Sequence, residues 1–163
     1  MLKKMLAIAV IATGAYAEET PITGTVQSAC SIYTTKAGVY GLPSIDKLST
    51  APADGGVHPI VRVDTTQANS YVARITTPNS FSTSPSLNDS LNWIGNVSVS
   101  QVSDPAMGNY DADKVTYNNT HEYGLAVAGS TWFEIESSVE YGVNKPLPGG
   151  SYVAKVMVEC IAN

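Results

Sequence analysis

The two cysteines, Cys30 and Cys160, are the residues whose chemistry can be predicted most directly. Each lies in a segment that alternates apolar and polar residues. Each also has the parity of the apolar positions, which include Val26 near the first cysteine and Val156 and Val158 near the second. Because successive side chains of a strand point to opposite faces, both thiols are expected to face the interior. An even pair of cysteines in an oxidising compartment usually forms a bridge. We therefore predict a disulfide between the first and last strands, with two unpaired buried thiols as the alternative.

His58 and His121 are the only histidines of the chain and the first candidates for acid–base or metal chemistry. His58 shares a strand face with Arg62 and Asp64, which indicates a solvated edge position, and His121 falls in a polar stretch typical of a turn. The sequence has no Gly-x-Ser-x-Gly elbow, no phosphate-binding glycine loop and no dinucleotide fingerprint. We expect neither enzyme activity nor a bound cofactor, with an unknown hydrolase as the weaker alternative.

The loop at residues 104–113 is the most site-like stretch of the sequence. Asp104, Asp111 and Asp113 carry hard oxygen ligands of the kind that calcium prefers, and Asn109 adds an amide oxygen. The loop lacks the Gly and Glu spacing of an EF-hand. We therefore favour solvated turn acids and keep calcium binding as the weaker interpretation.

Trp132 is the candidate surface contact. Its parity is opposite to that of Phe133 and Ile135, which places it on the face of Glu134 and Glu136, whereas Trp93 has an inward parity. An exposed tryptophan suits contact with another protein or stacking on a sugar ring. Partial burial on the sheet surface is the third interpretation.

Residues 1–17 have the pattern of a secretory signal peptide. Lys3 and Lys4 precede a short apolar run, and Ala15-Tyr16-Ala17 provides a small-x-small cleavage pattern. A membrane anchor would need an apolar stretch of about 20 residues. We expect cleavage near residue 17 and one domain over residues 18–163, with retention as an anchor as the alternative. The mature protein is expected to be secreted, in the periplasm or at the cell surface.

The expected mature chain is acidic and has no basic cluster. The full sequence carries a net charge of −5, and loss of Lys3 and Lys4 takes it to −5 − 2 = −7. Nucleic acids and anionic membranes are bound through clustered Lys and Arg side chains. We therefore expect no nucleic-acid partner and no membrane insertion after cleavage. The expected partners are further copies of the chain or other surface proteins.

Short alternating segments, separated by clusters of Gly, Pro, Asn, Asp and Ser, dominate the expected mature chain. We predict an all-β fold, a single Ig-like antiparallel β-sandwich of seven or eight strands, with an up-and-down β-barrel as the alternative. Residues 57–63 and 71–75 are predicted to form one hairpin, and residues 115–117 and 123–127 a second. A bulge or tight turn is expected at Gly95 and Asn96.

Two segments carry a resemblance to a known group of proteins. Residues 24–32, with the sequence GTVQSACSI, look like the cysteine-bearing first strand of bacterial pilin-like and spore-coat-U-like secreted domains. Residues 148–158, with the sequence PGGSYVAKVMV, are similar to their Gly-x-Tyr closing strand. Those families usually place the second cysteine in the next long strand, where this chain has residues 60–63, IVRV.

The resemblance implies a filament or surface-coat subunit in which an extended segment of one copy completes a sheet of the next. The candidate assembly strand is the mature start, residues 18–28, with Ile22, Gly24 and Val26 on one face. An ordinary first strand within its own domain is the plain alternative. The leading hypothesis is thus a structural or adhesive surface protein, such as a pilin-like subunit of a fimbrium. A monomeric module that binds carbohydrate or another ligand through Trp132 and residues 104–113 is the alternative.

Overall fold

The computed structural model describes Thr23 and residues 27–163. These residues form twelve strands, one short helix, α1 (Tyr110–Asp113), and 3₁₀ turns at Pro52–Asp54 and Pro105–Met107. The strands are β1 (Cys30–Lys36), β2 (Gly41–Ser44), β3 (Lys47–Ser49), β4 (Ile60–Thr65), β5 (Tyr71–Thr76), β6 (Phe81–Thr83), β7 (Leu91–Val102), β8 (Val115–Tyr117), β9 (Thr120–Gly124), β10 (Gly129–Tyr141), β11 (Val153–Ala154) and β12 (Met157–Ala162). Seven of them have five or more residues, namely β1, β4, β5, β7, β9, β10 and β12.

The strands form two main antiparallel sheets. In the first sheet, β10 pairs with β7 along one edge and with β4 and then β3 along the other, and β1 and β2 extend these neighbours. The second sheet has the order β12-β5-β9-β8, and β11 and β6 form a separate pair. The sheets do not join into a closed ring of strands, so the prediction of an all-β sandwich is confirmed.

The core lies between the two sheets, and it is built from the inward parity of each long strand. In β10 the alternating pattern buries Phe133, Ile135 and Val139. These side chains pack against the inward residues of the opposite sheet, such as Ile75 and Tyr123, whose ring lies 4.6 Å from that of Phe133. Burial of each large apolar side chain stabilises the fold by roughly 1.5–3 kcal/mol, which explains why the alternation is strictest in the central strands.

The first predicted hairpin is wrong. β4 pairs with β1 and β10 in one sheet, whereas β5 pairs with β12 and β9 in the other. Residues 66–70 therefore carry the chain across the sandwich and not around a hairpin turn. β4 and β5 would show the same alternation whether they paired in one sheet or packed face to face in two sheets. The alternation alone therefore does not distinguish the two arrangements.

The second predicted hairpin is confirmed for β8 and β9. They pair antiparallel around Asn118, whose φ of 53° is the left-handed conformation that asparagine adopts more readily than most residues. The break expected at Gly95 and Asn96 is wrong, because β7 runs through both residues in unbroken register with β10. Gly95 serves packing instead: a Cβ there would lie 2.3 Å from Oγ1 of Thr77.

The predicted disulfide is present between Cys30 and Cys160, with the Cα atoms 6.2 Å apart. Cys30 begins β1 at the edge of one sheet, and Cys160 lies in β12 at the edge of the other. Both cysteines are partly buried and pack against the core. The bridge thus joins the two sheets along one side of the sandwich.

Several predictions lie outside the described residues. These are the signal peptide at residues 1–17 and the candidate assembly strand with Ile22, Gly24 and Val26. Within the part of the chain that the structure describes, no helix has the length and hydrophobicity needed to cross a membrane.

Candidate functional site

An apolar groove of about 440 Å³ opens on the side of the sandwich that carries the disulfide. β1 contributes Ile32 and Thr34 to its lining, and the closing segment contributes Val156 and Val158, each two or four residues from a bridged cysteine. Val61 of β4 also lines the groove and belongs to the buried core. The groove therefore reaches from the surface to the hydrophobic core.

The groove exists because two edge strands face each other without pairing. In the described residues, β1 pairs only with β4, and β12 pairs only with β5. Each strand keeps one edge whose backbone N–H and C=O groups have no strand partner. Such an edge is a template for an additional strand, and two of them flank the same apolar groove.

A second cleft of about 450 Å³ continues the groove along the molecule. The two clefts share Gly38, Val39, Tyr40 and Ala154, and the second extends to Tyr152. Val39 and Val153 at this rim expose 54% and 43% of their surface, which is high for valine side chains that border a groove. Together the clefts form an elongated apolar channel, which suits an extended chain better than a compact ligand.

The lining of the groove includes hydroxyl groups that bond to one another. The hydroxyls of Tyr40 and Ser137 lie 3.0 Å apart, and burial raises the pKa of Tyr40. Thr50 Oγ1 lies 3.0 Å from Nδ1 of His58 and accepts a bond from the Ser137 backbone N–H at 2.9 Å. His58 is half-buried and bonded to Thr50, so it is less solvated than the edge position that the sequence indicated.

The chain that precedes β1 leads away from this groove. Ala29 and Thr66 continue the β1–β4 ladder: the Thr66 N–H donates to the Ala29 carbonyl, and the Ala29 N–H donates to the Thr66 hydroxyl. Ser28 Oγ lies 3.2 Å from the hydroxyl of Tyr71 at the start of β5. The groove begins at Ile32 and extends in the opposite direction. The described residues 28 and 29 therefore lie beside Tyr71 and Thr66, at the end of β1 that points away from the groove.

Two acids of the predicted calcium loop, Asp104 and Asp111, have structural partners, and Asp113 is exposed. Asp104 accepts a bond from the Ala106 N–H at 2.8 Å and caps a 3₁₀ turn. Asp111 accepts one from the Val99 N–H at 2.9 Å, and Lys114 Nζ donates to the Val97 carbonyl at 2.6 Å. Asp111 and Lys114 thus hydrogen-bond to backbone groups on the free edge of β7. Among the described residues, no cluster of three metal-binding side chains occurs.

Trp132 lies on the outer face of the first sheet and is half-buried there. It pairs across the ladder with Arg62, and Arg62 pairs with Tyr33 on β1. The guanidinium lies 4.5 Å from the centre of the Tyr33 ring and 5.9 Å from that of Trp132, and its Nε is 3.0 Å from Oδ1 of Asp64. The row Tyr33–Arg62–Trp132 thus forms one stacked surface strip, which the sequence did not reveal because it depends on strand register.

Trp93 shows the inward parity expected of it and is half-buried beside Phe81, with ring centres 4.7 Å apart. His121, by contrast, was predicted in a turn and lies in β9, where it is 97% buried. Its Nδ1 is 3.1 Å from Thr116 Oγ1, and its Nε2 has no partner among the described residues. Burial, and to a lesser extent the charge of Lys114, lowers its pKa.

Comparison with known protein families, characterised proteins and solved structures finds no match for this chain. The most distinctive feature of the molecule is the groove between β1 and β12, which the sequence did not reveal because alternation identifies inward residues but not unpaired edges. The only sequence signal for it was the pair of terminal cysteines that flank the groove.

Proposed function

We propose that this chain is an exported structural or adhesive surface protein, a pilin-like subunit that assembles by strand pairing between copies. The observation that supports the proposal is the apolar groove flanked by the free edges of β1 and β12. An extended segment that enters such a groove gains backbone hydrogen bonds from the edge and buries alternate side chains. The groove between β1 and β12 offers both the free backbone groups and the apolar surface.

The occupant that fits the groove is the mature start of a second copy, residues 18–28. This segment has Ile22 and Val26 on one face with Gly24 between them, and it carries no charge after Glu19. The groove presents a complementary series of apolar side chains, with Ile32 and Val158 at its walls. Because residues 28 and 29 lie at the end of β1 that points away from the chain's own groove, a neighbouring copy is the more accessible acceptor.

The disulfide supports the exported location. Bridges persist in oxidising compartments such as the periplasm and the cell exterior, and Cys30–Cys160 is a built-in part of this fold. We propose that the protein acts there without enzyme activity, since the hydroxyl groups at the bottom of the groove bond to one another and to His58.

The experiment compares the chain beginning at residue 18 with the same chain lacking residues 18–27. Negative-stain microscopy and light scattering are used at equal protein concentration. Filaments or large assemblies are expected for the longer chain and monomers for the shorter one. Monomers in both preparations, and in material released from the cell surface, would overturn the proposal.

A substitution in the groove gives an independent test. Ile32→Arg places a charge on the groove wall, where Ile32 is 40% exposed. Ile94→Arg is the matched control, because Ile94 is 58% exposed on the outer face of the first sheet. Assembly is expected to fail for Ile32→Arg alone. Equal assembly of both variants would argue against the groove as the acceptor.

A monomeric binding module remains the second candidate, and the strip formed by Tyr33, Arg62 and Trp132 favours it. Aromatic and arginine side chains dominate the energetics of many contact surfaces. A glycan array is the direct test, with Trp132→Ala as the comparison. Binding that is lost in this variant would support the module. An array without hits, together with a melting temperature that calcium does not alter, would oppose it.

A further inference from the structure

We infer that the exposed apolar end formed by Leu42, Ile45 and Val143 is a second contact between copies, which receives the end of the next molecule where β1 begins. The inference rests on the proposed assembly by strand addition. It adds an interface that is distinct from the groove. It also predicts that the copies stack end to end.

This apolar end is formed by the β2–β3 turn and residues 142–147. Ile45 and Val143 expose 60% and 82% of their surface, and Leu42 on the same hairpin exposes 63%. The backbone beneath them is well connected, because the Leu147 N–H donates to the Ile45 carbonyl and the Tyr141 N–H donates to the Asp46 carbonyl, both at 2.8 Å. Apolar side chains held on a hydrogen-bonded turn form a preorganised contact surface.

The charged groups at this end form hydrogen bonds or ion pairs within the molecule. Asp46 accepts a bond from Ser44 Oγ at 2.6 Å, and Lys145 pairs with Asp89. Lys47 lies 3.7 Å from Glu140 on the adjoining strands. The end therefore offers apolar area with paired charges around it, a composition typical of a contact between proteins.

The opposite end of the molecule is formed in part by residues 66–70 and 124–130, which lie near the start of β1 and contain no charged residue. The loop that follows β7 lies beside them, since the Ser103 N–H donates to the Ser130 carbonyl, and it adds the exposed Asp104. Ala68, Ala126 and Ala128 are exposed there. Small uncharged side chains let another surface approach closely without the desolvation of a charge.

The strand directions determine which end of the donating copy lies next to the apolar end of the accepting copy. β1 runs from the end that contains residues 66–70 towards the apolar end, and β12 runs in the opposite direction, as its pairing of Ala162 with Tyr71 and Met157 with Thr76 requires. Every strand pair in the described sheets is antiparallel. Because β1 and β12 run in opposite directions, a donated segment can be antiparallel to only one of them. We take β12 as that partner, and the segment would then leave the groove at the apolar end. The body of the donating copy, which follows residue 28, would then lie against Ile45 and Val143.

Such a contact joins two different surfaces of identical molecules. A heterologous contact of this kind continues indefinitely when its rotation does not close, and it then produces a filament. Strand donation supplies the connection, and the apolar end limits how the next copy is oriented.

The test separates the two interfaces. The chain beginning at residue 18 is prepared as wild type, as Ile45→Asp/Val143→Asp, and as the control Val115→Asp, whose valine is 58% exposed on β8. Sedimentation velocity measures self-association. Fluorescence anisotropy of a labelled synthetic peptide of residues 18–28, at protein concentrations below self-association, measures occupancy of the groove. Thermal melting checks that each chain is folded.

The double variant is expected to weaken self-association by about tenfold or more, and to change peptide affinity by no more than about twofold, because the sites are separate. The control is expected to change neither quantity. Unchanged self-association of the double variant would overturn the inference, as would an equal loss of peptide binding. A wild-type chain that self-associates but binds no peptide would overturn strand addition, while the response of the double variant would still decide the role of the apolar end.

Discussion

At the scale of single residues, His121 shows how burial changes the chemistry that a side chain can perform. It is enclosed in β9 with its Nδ1 beside Thr116 and its Nε2 without a partner in the described part of the chain. Burial disfavours the charged imidazolium, and nearby Lys114 disfavours it further, so the pKa of His121 is lowered. The histidine is thus a buried packing residue of a strand, and not the turn residue that the sequence predicted.

His121 is expected to make stability depend on pH. Because its pKa is lower in the folded protein than in the unfolded chain, the unfolded chain binds more protons below about pH 6.5. The stabilising contribution is therefore present above that pH and is lost as the pH falls towards the folded pKa. Urea unfolding of wild type and His121→Gln at pH 7.5 and pH 5 measures this, with His58 present in both chains. Equal slopes against pH would contradict the prediction.

Asp111 is expected to stabilise the fold through the free edge of β7. Asp111→Ala removes the acceptor of the Val99 N–H and should lower the free energy of unfolding by about 1–2 kcal/mol, a modest figure because its carboxylate is 41% exposed. Asp113→Ala, at an exposed position of the same helix, should change it by less than about 0.5 kcal/mol. Urea denaturation compares the two. Equal effects would mean that the edge contact contributes nothing specific.

At the scale of elements, the two long strands β7 and β10 organise the first sheet. They pair over almost their whole length, with one register shift at Trp132 and Phe133. β7 is kept from further pairing by Asp111 and Lys114, which bind its backbone at Val99 and Val97. Blocked edges of this kind prevent uncontrolled pairing. The edges of β1 and β12 have no such protection in the described residues, which supports the proposal that another segment pairs with them.

Substitution of Gly95 tests how closely β7 packs against the residues that follow β5. Gly95→Ala places a methyl group 2.3 Å from Thr77 Oγ1, and Thr77 is itself 98% buried and bonded to the Asn119 carbonyl. Because Thr77 has little room to move, unfolding free energy should fall by about 1–3 kcal/mol.

Gly124→Ala is the matched control, because no atom lies within 4 Å of the new Cβ. It should leave stability unchanged or raise it by up to about 1 kcal/mol through the smaller entropy of the unfolded chain. Guanidinium unfolding measures both variants. A Gly95→Ala protein as stable as wild type would show that the strand contact is looser than the distance indicates.

At the scale of the whole molecule, the Cys30–Cys160 bridge closes a loop of 130 positions and joins the two sheets beside the groove. Replacement of both cysteines by alanine should lower the free energy of unfolding by up to about 5 kcal/mol, because the unfolded chain regains the freedom that the bridge removes. Urea unfolding of the double variant, with reduced wild type as a second comparison, measures the loss. A loss below about 1 kcal/mol would contradict this account.

The hydrophobic core makes the proposed assembly compatible with a stable subunit. The sandwich core, from Phe133 to Ile75 and Tyr123, is complete without any additional strand. The groove is an opening along one side of that core, and under the proposed function a segment that fills it would add stability to an already folded molecule. Each copy can therefore fold by itself before it donates or accepts a strand.

The sequence alone was sufficient for those features that depend on local pattern and covalent chemistry. Strict alternation around Phe133 and Ile135 identified the inward face of β10, and the Asn118 turn identified the β8–β9 hairpin. The parity of Cys30 and Cys160 identified the bridge between the first and last strands. These features follow from period-two geometry, which each segment carries in its own residues.

Only the tertiary structure decided which strands are neighbours. β4 and β5 alternate as a hairpin would, yet they belong to different sheets, and His121 is buried because strands pack over it. The groove beside Ile32 and Val158 likewise exists because two edges lie together without pairing. Partner choice among similar strands depends on the packing of the whole core, so it is not contained in the alternation of any single segment.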